Sequence, residues 1–174
     1  RGSFFIHPQY CQVGSMVSAN FPQTVFVIDD DPDVRDSLKW LLESVGLNVT
    51  TFENALDFLE GFQSGVSGCI VLDVRMPGLS GINAQKKMPE YNIDLPVIMI
   101  SAHGNVDMAV SALTQGAMTF IEKPFDDQVL IDHVHNALAK DKERRQRVSV
   151  QNEKRERYEN LTRREKQVFG LIVQ

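Results

Sequence analysis

The 174 residues predict a doubly wound α/β domain on a parallel sheet, followed by a basic helical segment. Three observations lead there. Between residues 22 and 139, short apolar runs alternate with helical periods five times, the rhythm of strand–helix–strand units with parallel strands. Right-handed crossovers follow almost by default. Acidic and polar residues gather just after the apolar runs, at the strand ends where open parallel sheets place their functional groups. Charge also divides the chain. Residues 1–139 hold 17 acidic and 7 basic residues, a net of −10, whereas 140–174 hold 6 and 11, a net of +5.

The elements follow in order. "TVFVI" (24–28) reads as the first strand. Asp31 and Pro32 then supply an N-cap and an N1 proline, and Val34, Leu38, Leu41, Leu42 and Val45 recur at a helical period. Gly46 stands where a helix-ending glycine belongs. "NVTTF" (48–52) is the second strand, and 54–63 a short helix with Ala55, Phe58, Leu59 and Phe62 on one face. "CIVLDV" (69–74) is the third strand, apolar enough to be buried on both faces. Residues 82–88 read as a helix ended by Pro89. "LPVIMIS" (95–101) is the fourth strand, 105–115 a helix before Gly116, and "TFIE" (119–122) the fifth strand. From Asp126 a helix begins with Val129, Leu130, Val134, Ala137 and Leu138 on its buried side.

The ends read differently. Residues 1–15 have neither alternation nor helical period and finish in Gly-Ser before Met16, so they are expected to be an added leader ahead of a native start. The domain proper is expected over 16–139, with its folded part from about 22. Residues 140–160 should continue the last helix as a charged linker, too poor in apolar residues for a sustained coiled coil. "LTRREKQVFGLIVQ" (161–174) begins a new amphipathic helix, with capping-box spacing between Thr162 and Glu165 and a stripe of Val168, Phe169 and Ile172.

Composition narrows the classes of function. No window approaches 18 consecutive apolar residues, so no membrane span and no membrane partner is expected. Cys11 and Cys69 form no CxxC pattern, which favours a reducing, cytoplasmic setting with Cys69 as a buried thiol. His133 and His135 are two apart on a helix and face different ways, so nothing suggests zinc.

The strand ends carry the chemistry. Asp29, Asp30 and Asp31 follow strand one, Asp73 follows strand three, Ser101 ends strand four, and Lys123-Pro124 follows strand five. Each has a bland reading alone: a loop-opening acid, a helix cap at Asp31, a turn hydroxyl. Together they put acids, a hydroxyl and an ammonium on one rim. Two carboxylates about 4 Å apart repel by roughly 4 kcal/mol at an effective dielectric near 20. Such a cluster raises a pKa or recruits a cation, and oxygen-only ligands suit Mg²⁺. The set fits a phosphoryl group: Asp73 as nucleophile, Mg²⁺ beside it, Lys123 against the added charge, and Ser101 bonding a phosphoryl oxygen in the modified state alone.

"VFVIDDDPDVRDSL", "LDVRMPGLSG" and "HGNVDMAVSALTQGAMTFIEKPF" resemble the receiver domain of bacterial two-component response regulators, the last string especially the NarL/FixJ type. The resemblance implies a flavodoxin-like five-stranded sheet of order 2-1-3-4-5 with five helices. It implies phosphorylation of Asp73 by a sensor histidine kinase, with Mg²⁺ bound by Asp30, Asp73 and the backbone carbonyl of Arg75, and Asp29 assisting. Phe120 would turn inward when Ser101 moves, and Lys123–Pro124 would be a cis peptide. Homodimerisation when phosphorylated follows from the family. "LTRREKQVFGLIV" looks like the first helix of a LuxR-type helix-turn-helix domain, truncated here, so DNA is expected as a partner of the full-length protein only. The chain would catalyse only its own phosphorylation and dephosphorylation. Two alternatives remain. One is a stand-alone receiver acting by protein contact. The other is a haloacid-dehalogenase-like phosphatase, against which Arg75 stands where that family places its second acid.

Overall fold

The computed structural model describes residues 22–102 and 105–160. The expectations for the 1–15 leader, for Cys11 and for the helix at 161–174 lie outside those residues. Five strands, β1 (Thr24–Ile28), β2 (Asn48–Phe52), β3 (Gly68–Asp73), β4 (Val97–Ser101) and β5 (Thr119–Glu122), form one parallel sheet in the order β2-β1-β3-β4-β5. The helices are α1 (Pro32–Ser44), α2 (Ala55–Gly61), α3 (Gly81–Lys87), α4 (Val106–Thr114) and α5 (Asp127–Glu159).

Alternation along the strands divides the core in two. Val25, Val27, Cys69, Val71, Ile98 and Ile100 face Leu38 and Leu42 of α1 and Leu130, Val134, Ala137 and Leu138 of α5. Phe26, Ile28, Ile70, Leu72, Val97 and Met99 face the other way, toward Phe58 and Leu59 of α2, Ala84 of α3 and Ala112 of α4. Every residue of β3 is buried, as a central parallel strand covered on both faces requires. Each fully buried aliphatic or aromatic side chain contributes about 1.5–3 kcal/mol, so this two-sided filling is what sets the sheet's position.

All five α-helices among the described residues begin at a side-chain cap: Asp31, Asn54, Ser80, Asn105 and Asp126 each accept from a backbone N–H in the first turn. Gly46 takes φ +82° after α1, the left-handed conformation that glycine adopts without strain.

Several boundaries differ from expectation. Phe62 leaves α2 with an extended ψ of 129°, yet its ring still packs 5.7 Å from those of Phe26 and Phe58. As expected, Pro89 stands directly after the end of α3, whose last residue is Lys87 and whose C-cap is Met88. The proline also sits in the first turn of a 3₁₀ segment, Met88–Tyr91, where its missing N–H costs nothing. That 3₁₀ segment stops at Asn92, with φ 55°. β3 starts one residue early and stops at Asp73, while β4 starts at Val97 because Pro96 has no N–H for the ladder. Val129 is 43% exposed rather than buried: the inward stripe of α5 is Leu130, Val134, Ala137, Leu138, and Val129 lies on its flank. α5 runs past residue 139 without a break.

Candidate functional site

Strand register brings the predicted residues to one rim. Ile28 pairs with Leu72, so Asp29 and Asp73 leave adjacent strands side by side. Asp73 pairs with Ile100, which puts Ser101 one step further along β4. Ser101 in turn pairs with Glu122, so Lys123 follows at the next step, its N–H donating to the Ser101 carbonyl at 2.8 Å.

The side chains converge from there. The Lys123 ammonium donates to Asp29 Oδ2 at 2.7 Å and to Asp73 Oδ1 at 3.0 Å. Asp73 Oδ2 accepts from the Arg75 N–H at 2.7 Å, and Asp29 Oδ1 from the Asp31 N–H at 3.0 Å. Both carboxylates are nearly enclosed, at 1% exposure for Asp29 and 6% for Asp73. Burial pushes the Asp73 carboxyl above its ordinary value against the pull of Lys123, with the Asp29 carboxylate adding to the rise. Burial works the other way on Lys123, but its two carboxylate partners outweigh it and hold the ammonium above the usual lysine value.

The turn after β3 explains the "MPGLSG" string. Gly78 takes φ +77°, and the Gly81 N–H donates to the Val74 carbonyl at 2.9 Å. A Cβ on Gly81 would stand 2.1 Å from the Asp73 carbonyl oxygen, so glycine is what lets α3 begin directly behind that aspartate.

The remaining expected residues are placed as follows. Asp30 is exposed on the loop beside Asp29, and Asp31 caps α1. Ser101 is fully buried at the end of β4. Phe120 is half-buried on β5, packed against the core cluster on the α2–α4 side. The Lys123–Pro124 peptide is cis. Among the described residues no group of three His, Cys, Asp or Glu side chains is arranged to hold a metal; at this rim Asp29 and Asp73 are joined through Lys123. That set still suits Mg²⁺. The ion uses one or two carboxylates and keeps several waters, and every carboxylate oxygen here has a lone pair beyond its single hydrogen bond.

Arg35 is a residue that sequence reasoning passed over. Its guanidinium donates to the Asp29 carbonyl at 2.7 Å and so fixes the acidic loop from one turn inside α1. A lone arginine four residues after the Asp31 cap, in an otherwise acidic first turn, was the available signal.

Sheet order and pocket together define a receiver-type α/β domain. The response regulator receiver domain model matches residues 25–135. Transcriptional regulatory protein TdiR of Thauera aromatica is 43% identical over 86% of this chain and 66% of its own length. Transcriptional regulatory protein FixJ of Bradyrhizobium diazoefficiens is 40% identical over 86% of this chain and 73% of its own. The solved structure of response regulator StyR superposes with a TM-score of 0.81 at 42% identity, covering 87% of this chain and 77% of that one. The chain belongs to the response regulator receiver family and is of the NarL/FixJ type. It spans about two thirds to three quarters of the length of these relatives. Members of this family are regulators rather than metabolic enzymes.

Proposed function

We propose that the chain is the receiver and linker of a two-component transcription regulator, phosphorylated on Asp73 by a sensor histidine kinase. The observation that carries the reading is the convergence of Asp29 and Asp73 on the Lys123 ammonium at one strand-end pocket. An Asp73 carboxylate oxygen attacks the phosphorus of the kinase's phosphohistidine. The new P–O bond forms as the P–N bond breaks, and the electron pair returns to the imidazole nitrogen. Asp30, Asp73 and the Arg75 carbonyl would hold Mg²⁺, with Asp29 assisting; when bound, the ion neutralises charge on the phosphoryl oxygens. Lys123, already between the two carboxylates, is within reach of the oxygens that the phosphoryl group brings, and pairs with them. Ser101, one step along β4, moves to donate its hydroxyl to a phosphoryl oxygen, and half-buried Phe120 fills the space it vacates. The altered face then favours a homodimer, and output passes through a C-terminal helix-turn-helix domain to DNA. The transcriptional role is supported by the names of TdiR and FixJ.

A small phosphodonor with Mg²⁺ should add one phosphoryl group per chain to wild type and none to Asp73→Asn, read by intact mass. Equal uptake by both would reject Asp73 as the acceptor.

A further inference from the structure

After Leu138 no apolar residue of α5 is buried, yet the helix continues to Glu159. One residue in that stretch is fully enclosed, and it is an acid: Asp141, at 0% exposure. Its Oδ2 accepts from the Ser67 hydroxyl at 2.7 Å, the Gly68 N–H at 3.0 Å and Arg145 Nε at 2.8 Å. Its Oδ1 accepts from Arg144 Nη2 at 2.7 Å. Both arginines continue onto the receiver. Arg144 pairs with Asp94 ahead of β4, and Arg145 donates to the Gly65 carbonyl at 3.0 Å and to that of Val66. Burial alone would push the Asp141 carboxyl up, but these donors outweigh it and hold the group below the usual carboxylate value.

We propose that this cluster is a socket in which the receiver grips the first turn of its own linker, so that residues 146–159 leave as a rigid extension in one fixed direction. The proposal rests on the division into receiver and linker, not on the chemistry at Asp73. Position 141 continues the inward stripe of 130, 134, 137 and 138, where a leucine would simply have packed. A buried ion cluster brings little net stability over an apolar filling, but it admits one arrangement of donors and so fixes the helix in rotation and register. Among the described residues, the side chains of 146–152 and 154–157 are exposed. The 14 residues of the extension (146–159) are marginal as an isolated helix, and the i,i+4 pairs Arg147–Glu143 and Arg155–Glu159 are exposed and add only tenths of a kcal/mol. At about 1.5 Å per residue the extension reaches roughly 21 Å. The grip is on Ser67 and Gly68, at the opposite end of β3 from Asp73, so one buried strand joins the acidic pocket to the root of the linker.

Amide hydrogen exchange on the intact chain tests the socket. In Asp141→Asn and in Arg145→Gln, amides of 146–158 should exchange at least tenfold faster than in wild type, while those of Val71 and Ile98 keep their protection. Linker exchange equal to wild type in both variants would overturn the proposal. Should Asp141→Asn not fold, Arg145→Gln and Arg144→Gln carry the comparison. The same samples, given phosphodonor and Mg²⁺, should take up one phosphoryl group in wild type and variants alike. Failure of uptake in wild type would overturn the proposed function and leave the exchange comparison standing.

Discussion

Lys123 stands between two carboxylates that would otherwise face each other with little water at the end of a buried strand. Replacing it by Met leaves both acids without their shared donor, an uncompensated burial worth about 1–3 kcal/mol. Urea unfolding at pH 7 should show that loss for Lys123→Met; unchanged stability would mean the acids do not depend on the lysine. Cys69 gives a second residue-scale outcome. Burial, with the Asp141 carboxylate beside it, pushes its thiol up to about 12, and only the thiolate is an effective nucleophile. The peptide carrying Cys69 should stay unalkylated while the chain is folded and label fully in denaturant. Labelling at comparable rates in both states would contradict the enclosed position. Cys69 was legible as buried from its apolar run, whereas Asp141 was not, because a sequence pattern says which positions face inward but not which acids find donors there. The signal was present in outline: an acid on the inward stripe with arginines three and four residues later.

The elements are held by caps and close approaches as much as by apolar faces. Asn105 caps a nine-residue α4 by accepting from the Met108 N–H at 2.8 Å. Asn105→Ala should cost about 1 kcal/mol, read from denaturant midpoints. Gly68 allows β1 and β3 to meet: a Cβ there would lie 1.9 Å from the Thr24 carbonyl oxygen. Gly68→Ala should therefore cost about 3 kcal/mol or more, well beyond the loss expected at Asn105. On α5, Asp141 fixes a pH dependence. Its folded value lies below the ordinary 3.8, so the stability it contributes is fully present above that value and is lost as pH falls through the folded one. The stability difference between wild type and Asp141→Asn should hold steady from pH 7 to about 5 and shrink as pH falls below the ordinary carboxylate value. A difference that grows in acid would reverse the assignment.

At the scale of the molecule, the fold was legible because each level of the sequence agreed. Strand runs, Asp31–Pro32 at one helix start and Gly46 at its end all pointed to the same α/β alternation. Errors fell where local chemistry overrode pattern. The apolar run predicts a fourth strand from Leu95, but β4 begins at Val97, because Pro96 has no N–H to give the ladder. The pocket residues could be chosen from strand ends alone, since parallel order carries them to one rim. What the sequence could not show was that Lys123 would bridge Asp29 and Asp73 while Asp30 stayed outside on an exposed loop. The central claim is that the bridged aspartate on β3 is the group that becomes phosphorylated. Borohydride converts an aspartyl phosphate to homoserine, so peptide mapping after phosphodonor, Mg²⁺ and reduction locates the modified residue directly. Homoserine at position 73 alone is the predicted result; homoserine at position 29 or 30, or at none of the three, would contradict the account.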